Sequence, residues 1–92
     1  MSEVVDNPAR HRYEISVDGL TAFTTYRIAD GIITFVHTEV PPEFRGKGIG
    51  SRLVRGELEA VRARGLKVVP SCEFVASYID KHPEFRDLLA TN

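Results

Sequence analysis

The sequence predicts a single α/β domain with a mixed, mostly antiparallel sheet, in the order β-β-β-α-β-α-α. Three features support this prediction: two Asp-Gly pairs separate three strand-like runs, a helical pattern follows a glycine-rich loop, and a short apolar run comes after that helix. The chain has 92 residues, of which 42% are hydrophobic and 27% are charged, as is typical of one globular domain. Residues 1–92 therefore form one domain, and residues 1–10 are expected to be flexible.

Three strands are predicted in the first half of the chain, where apolar residues alternate with polar ones or are β-branched. Asp18-Gly19 and Asp30-Gly31 separate the runs, and such pairs favour two-residue hairpin turns because both positions accept a positive φ angle. The strands therefore form a meander, which ends at a pair of prolines. The predicted strands are RYEISVD (12–18), LTAFTTYRI (20–28) and IITFVHTEV (32–40).

A helix, a strand and two further helices are predicted in the second half. Apolar residues three and four positions apart indicate a helix over about 48–64, and Gly65 suits its C-terminal cap. The run LKVVP predicts a strand, which should pair in parallel after a right-handed crossover. Helical spacing in CEFVASYIDKH and the proline that opens PEFRDLL predict the last two helices. The apolar stripe of the first helix consists of Ile49, Leu53, Val54, Leu58 and Val61.

Composition excludes several classes of partner. The formal net charge is −1, so no nucleic-acid partner is expected. No apolar run approaches the roughly 20 residues of a membrane span, and the N-terminus lacks a secretory signal, so we expect a cytoplasmic protein with no membrane partner. The single cysteine, Cys72, has no partner for an internal disulfide, and no Cys/His spacing predicts a metal site.

The stretch VPPEFRGKGIGSRL places a glycine-rich loop between a strand end and a helix start. Free backbone N–H groups and the helix dipole attract anions at such a position, and glycines let a phosphate approach closely. Arg45 and Lys47 add two cations. The loop is neither a Walker A motif nor a dinucleotide fingerprint, which would need a third glycine in place of Ser51. A loop whose glycines only cap the helix is the structural alternative.

The hexapeptide Arg45-Gly46-Lys47-Gly48-Ile49-Gly50 resembles the Arg/Gln-x-x-Gly-x-Gly/Ala signature of the GNAT superfamily of acetyl-CoA-dependent N-acetyltransferases. The resemblance extends over residues 13–89 and implies a minimal GNAT-like domain. The length and the tail VVPSCEFVASYIDKHPEF resemble a small, single-domain branch with a cysteine in the place of Cys72. Larger members have two extra helices and two extra strands, so the walls that cover their substrates are missing here.

The resemblance assigns acetyl-CoA, or CoA, to the loop. It implies that the amides of residues 46–51 bind the pyrophosphate, and that the exposed backbone of Thr38, Glu39 and Val40 pairs with the pantetheine arm. Ser51 either adds a hydroxyl group at the helix start or is a solvated first-turn residue.

Two candidate bases lie on the third predicted strand. His37 alternates with Ile33 and Phe35, so it is predicted to share their face near the expected cofactor. Histidine is a common general base, although a half-buried histidine that only hydrogen-bonds in the sheet is an equal alternative. Glu39 is predicted on the same face as His37, and it is either a second base or a solvated carboxylate at the strand end.

Cys72 and Tyr78 are the other catalytic candidates. Cys72 follows the fourth predicted strand, opposite the end of the third, and it is either a nucleophile within reach of His37 or a small apolar side chain in the core. Tyr78 falls where many GNAT members have a tyrosine that protonates the departing thiolate, although Ser71 stands where the family has an asparagine. A tyrosine that packs in the core with a hydrogen-bonded hydroxyl is its alternative.

These observations predict a minimal N-acetyltransferase that transfers acetyl to an exposed amine, such as a protein lysine or N-terminus. The transfer is either direct or passes through acetyl-Cys72. Two alternatives remain: a module that binds or senses CoA or acyl-CoA with little transfer, and a structural module that binds no CoA. The chain is expected to be a monomer or a weak homodimer.

Overall fold

The computed structural model describes residues 3–90, which form a five-stranded sheet with two α-helices packed on one face. Short 3-10 helices cover Pro8–Arg10, Pro42–Phe44 and Pro83–Leu88. The regular elements are β1 (Val5–Asn7), β2 (Arg12–Val17), β3 (Leu20–Ala29), β4 (Ile32–Glu39), α1 (Ile49–Ala63), β5 (Lys67–Pro70) and α2 (Glu73–Lys81).

The strands pair in the order β1-β2-β3-β4-β5, antiparallel from β1 to β4 and parallel between β4 and β5. The α/β fold with a mixed, mostly antiparallel sheet is therefore confirmed. Both predicted hairpins are present: φ is 52° and 80° at Asp18 and Gly19, and 55° and 76° at Asp30 and Gly31. Two successive positive φ angles match the right-handed twist of the flanking strands, which is why Asp-Gly pairs occupy these turns.

The structure adds β1 to the predicted order, inside the segment that the sequence analysis expects to be flexible. β1 is only three residues long, too short for an alternating pattern to reveal it, and it pairs with β2. The Tyr26 hydroxyl donates a hydrogen bond to Oδ1 of Asp6 at 2.6 Å. Burial, followed by this bond to Asp6, raises the pKa of Tyr26. Residues 1 and 2 of the expected flexible segment lie outside the described residues.

The last predicted helix is a 3-10 helix, Pro83–Leu88, and this corrects the prediction of an α-helix. Six residues that begin with proline are too few to sustain a stable α-helix on their own. Contacts with α1 hold the segment instead: Arg62 Nη1 lies 2.7 Å from Oδ2 of Asp87, and its Nη2 donates to the carbonyl oxygen of Glu84 at 2.7 Å.

One face of the sheet, which we call the inner face, carries the core under α1 and α2. The other face, which we call the outer face, is not covered by either α-helix. Side chains less than 2% exposed include Ile15, Ala22, Thr24, Ile33, Phe35, Leu53, Val54, Glu57, Leu58, Val61, Val68 and Val75.

No helix within residues 3–90 has the length and apolar character needed to cross a lipid bilayer.

A β-bulge interrupts the alternation of β4. Tyr26 of β3 pairs with Phe35, but the preceding residue, Thr25, pairs with His37. Val36 is thus an extra residue, and it is 41% exposed. Because side chains alternate between the two faces, one extra residue moves every later side chain of β4 to the opposite face.

Candidate active site

The glycine-rich loop presents free backbone N–H groups at the start of α1. Gly46 and Gly48 have φ angles of 76° and 70°, and a Cβ atom at either position would meet no atom within 4 Å. Lys47 N–H is already bonded to the carbonyl oxygen of Phe44 at 3.1 Å. Within residues 3–90, the N–H groups of Gly46, Gly48, Ile49, Gly50 and Ser51 donate to no backbone carbonyl, and no side chain caps α1. The loop therefore has the space and the donors that a phosphate requires.

The loop also carries unpaired cations. Arg45 and Lys47 are exposed, and neither forms an ion pair with any carboxylate of the described chain. Arg52, one turn into α1, is bonded to Glu3, with Nε donating to Oε2 at 2.7 Å. Two of the three cations near the loop are therefore free to meet an anion.

Gly50 differs from the other loop glycines. Its backbone is helical, and a Cβ atom there would lie 2.6 Å from Cζ of Phe74 and 3.4 Å from Cγ2 of Val40. The absence of a side chain at Gly50 therefore serves the packing of α2 against α1, whereas Gly46 and Gly48 leave open space. Ile49 is buried in the core, so it can offer the loop only its backbone.

We expect Gly50→Val to lower the free energy of unfolding by about 1–3 kcal/mol, because the larger side chain overlaps the Phe74 ring. Urea denaturation measures the change. The Phe74→Ala background is the matched control, since removing the ring should restore most of the loss. Equal destabilisation in both backgrounds would show that Phe74 is not the reason for the glycine.

β4 and β5 separate at the end that faces the loop. All residues of β5 pair with Ile32–Phe35, and the last pair is Phe35 with Pro70. β4 continues to Glu39 beyond this pair, while the chain after β5 turns into α2. The backbone of Thr38 and Glu39, together with the half-buried Val40 that follows, thus borders the gap between the strands.

The structure corrects the predicted position of His37. Because of the bulge at Val36, His37 does not share the face of Phe35 but lies on the outer face, where its side chain is 59% exposed. Its Nε2 lies 3.1 Å from Oε2 of Glu39, which is also exposed. The two predicted bases therefore lie together on the uncovered face of the sheet.

Cys72 is joined to Thr38, and not to His37 as predicted. The Cys72 Sγ lies 3.2 Å from Oγ1 of Thr38, which the bulge has moved to the inner face. Thr38 Oγ1 lies 3.0 Å from Oγ1 of the fully buried Thr24. The Cys72 N–H donates to the carbonyl oxygen of Phe35 at 2.9 Å, and the residue is the N-cap of α2. These bonds fix the thiol, 8% exposed, at the point where β4 and β5 separate.

Tyr78 lies on α2 beside the loop. With Ser51, Phe74 and His82 it lines an open cleft of about 200 Å3. Its ring stacks on that of His82, with 3.9 Å between the ring centroids. Its hydroxyl has no hydrogen-bond partner among residues 3–90, so it is available to a ligand in the cleft.

Sequence reasoning missed Glu57, a buried carboxyl group on α1. It lies four residues after Leu53 and three after Val54, and so it interrupts the apolar stripe of the helix. A carboxyl on an apolar helix face is itself a signal, because such a group is rarely fully buried without a partner. Burial raises the pKa of Glu57 well above its ordinary value, while Thr24 acts in the opposite direction.

The fold is that of a small GNAT-type domain, with a glycine-rich loop beside a separated pair of parallel strands. Residues 12–88 match the family described as GCN5-related N-acetyl-transferase, and the chain belongs to this family.

No group of three or more His, Cys, Asp or Glu side chains in the described part of the chain is arranged to hold a metal ion.

Individual relatives agree with this assignment. The NATD1 proteins of Homo sapiens and Gallus gallus are each 35% identical to this chain over 52 residues, which is 56% of the chain. These matches cover 46% and 47% of the relatives, so the chain spans about half the length of the curated relatives it matches. A GCN5-like protein from Staphylococcus aureus, solved by NMR, matches 100% of this chain and 93% of its own with a TM-score of 0.73 and 28% identity.

Proposed function

We propose that the protein binds acetyl-CoA through the Arg45–Gly50 loop and transfers its acetyl group to an exposed amine. One observation carries this proposal. The unpaired end of β4 connects the open anion loop to a buried thiol, with Thr38 Oγ1 lying 3.2 Å from Sγ of Cys72. An extended ligand with phosphates at one end and a thioester at the other matches this arrangement.

The binding residues act mainly through the backbone. Free N–H groups of the loop and of the first turn of α1 bind the pyrophosphate, and the side chains of Arg45 and Lys47 add charge-assisted bonds. The edge of β4 at Thr38 and Glu39, with the following Val40, hydrogen-bonds to the amide groups of the pantetheine arm. Ser51 lies beside the same cleft as Tyr78 and can donate its hydroxyl to the ligand.

In the covalent route, the thiol of Cys72 receives the acetyl group. Its thiolate forms a bond to the acetyl carbon while the carbon–sulfur bond to CoA breaks, and the unpartnered hydroxyl of Tyr78 gives the departing CoA sulfur a proton. The amine then attacks the acetyl carbon of acetyl-Cys72, the bond from this carbon to Sγ breaks, and Sγ leaves as the thiolate that begins the next cycle. His37 or Glu39 takes the amine proton from the outer face, and solvent carries a proton back to the Tyr78 oxygen. Direct attack of the amine on bound acetyl-CoA is the other route, and it uses the same base.

The acceptor is a large molecule. Neither α-helix covers the outer face where His37 and Glu39 lie, so a small amine would have few groups to hold it in place. A protein lysine or N-terminus brings its own surface to the site. Two exposed apolar side chains, Phe74 of the cleft at 43% exposure and Val36 of the bulge at 41%, are available for contact with that surface.

Calorimetry with CoA and acetyl-CoA tests the binding step. We expect both ligands to bind, with an affinity that falls as salt is added, and we expect Arg45→Ala to weaken binding by about tenfold through the loss of one charge-assisted bond. Arg27→Ala is the matched control, because Arg27 is an exposed arginine that pairs with Thr34 near the opposite end of β4. The absence of binding heat for both ligands would contradict the proposed function.

A further inference from the structure

A second cavity, of about 490 Å3, lies at the end of the sheet opposite to the glycine-rich loop. It borders the last residues of β3 and the residue that follows α1, whereas the loop joins the end of β4 to the start of α1. We call it the distal cavity, and its walls include Pro8, His11, Arg27, Ile28 and Arg64. None of its lining residues takes part in the proposed acetyl transfer, so it is a separate candidate site.

The distal cavity lies along a free strand edge. The β2–β3 ladder ends at the pair of Arg12 with Thr25, although β3 continues beyond it. One further bond crosses to the preceding chain, from the Tyr26 N–H to the carbonyl oxygen of His11 at 2.8 Å. Because N–H groups alternate in direction along an antiparallel strand, the N–H of Ile28 points to the same side as that of Tyr26. No residue of β2 lies opposite Ile28, so the cavity has a backbone donor for a ligand.

The cavity holds a positive charge that the protein does not neutralise. Asp6, which accepts the hydrogen bond of the Tyr26 hydroxyl, forms an ion pair with Arg64, and its Oδ2 lies 3.6 Å from Nη1. Arg27 is exposed and forms no ion pair with any carboxylate of residues 3–90. The ion pair of Arg64 and its hydrogen bond to Tyr13 both use Nη1, which leaves Nη2 as a further donor. One negative charge on a ligand would therefore balance the cavity.

Apolar and aromatic groups form the remaining walls. Ile28 is 40% exposed, and Pro8 and the ring of Tyr26 line the same space. The ring of His11 meets that of Tyr26 edge to face, with 6.4 Å between the ring centroids. His11 has a φ angle of 52°, which a residue other than glycine rarely adopts, so its contacts with Tyr26 hold this wall in a defined shape. The cavity thus offers an apolar surface beside its unpaired cation.

We propose that the distal cavity is a second binding site, which takes a monocarboxylate with an apolar body, such as an aromatic carboxylic acid. The guanidinium of Arg27 binds the carboxylate, because the two planar groups match in shape and charge. Nη2 of Arg64 and the N–H of Ile28 are additional donors, and the apolar body packs on the Ile28 side chain and on Pro8. A doubly charged phosphate fits less well, since one of its charges would have no counterpart in the cavity.

NMR titration of the nitrogen-15-labelled protein with sodium benzoate tests this proposal. We expect saturable shifts of the backbone amide signals of His11, Arg27 and Ile28, which border the distal cavity. Benzamide has the shape of benzoate without its charge, so it should bind at least about tenfold more weakly through the loss of the charge-assisted bonds. Inorganic phosphate, which has no apolar body, should also shift these signals less than benzoate at equal concentration.

Arg27→Gln removes the unpaired charge and should weaken benzoate binding at least about tenfold, while benzamide binding stays unchanged. Arg10→Gln is the matched control, because Arg10 is an exposed arginine of the neighbouring 3-10 helix that does not line the cavity. Equal losses in the two variants would show attraction by general surface charge and would overturn the proposal. Shifts that do not saturate, or that are confined to the glycine-rich loop, would overturn it as well. The titration contains no CoA, so its outcome is independent of the proposed acetyl transfer.

Discussion

Gly48→Glu abolishes measurable binding of acetyl-CoA and leaves the protein folded. Gly48 has a φ angle of 70° and open space beside it, so the new side chain points a carboxylate into the volume assigned to the phosphates. Two like charges about 4 Å apart repel by about 4 kcal/mol at an effective dielectric constant of about 20, which corresponds to about a 1,000-fold loss of affinity. Calorimetry measures the binding, and circular dichroism confirms the fold.

The control for this variant is Gly19→Glu. Gly19 has a φ angle of 80° and equally open surroundings, but it lies in the hairpin turn between β2 and β3. It therefore carries the same backbone strain and the same added charge, away from the loop. If Gly48→Glu and Gly19→Glu bind acetyl-CoA equally well, the loop is not the phosphate site.

The second large effect concerns Cys72. Incubation with acetyl-CoA alone is expected to add the mass of one acetyl group at this residue. Mass spectrometry of the peptide that contains the single cysteine locates the group, and its release by hydroxylamine distinguishes a thioester from an acetylated lysine. Cys72→Ala should remove the adduct and lower turnover by at least about 100-fold. It should also cost about 1 kcal/mol of stability, because a small cavity replaces the sulfur.

His37→Ala separates the two chemical steps. Its side chain lies on the outer face, away from the thiol, so this variant should slow transfer to the amine and leave adduct formation unchanged. Full activity of Cys72→Ala with no adduct in the parent would leave direct transfer as the mechanism. Binding of acetyl-CoA with neither adduct nor turnover would make the protein a CoA-binding module.

Local signals in the sequence were sufficient for most of the fold. The two Asp-Gly turns, the apolar stripe of α1 and the positive φ of 72° at Gly65 are each set by a few neighbouring residues, so they can be read directly from the chain. The glycine loop is local in the same sense, since it occupies one strand-to-helix connection. Strand β1 escaped prediction because its stability comes from pairing with β2 and from the distant Tyr26 hydroxyl.

The geometry of the candidate site depends on contacts between distant residues, and there sequence reasoning was less successful. Simple alternation predicted His37 beside Cys72, but the bulge at Val36 placed Thr38 there. The sequence shows a glycine at both positions 48 and 50, but it does not show that Gly50 makes room for Phe74 whereas Gly48 borders open space. The full burial of Glu57 depends on the packing of α1 against β3 and β2, which brings together residues far apart in the sequence.

The bulge also has a consequence for how such small domains can diverge. One residue of chain length at Val36 decides whether a hydroxyl or an imidazole stands next to the sulfur, because removal of that residue would bring His37 to the inner face and send Thr38 outward. Deletion of this one residue would thus exchange the neighbour of the Cys72 thiol, which replacing either side chain alone would not do. Residues of this strand should therefore be aligned with those of related proteins by the face of the sheet on which their side chains lie. An alignment that ignores the bulge would pair residues from opposite faces of the sheet.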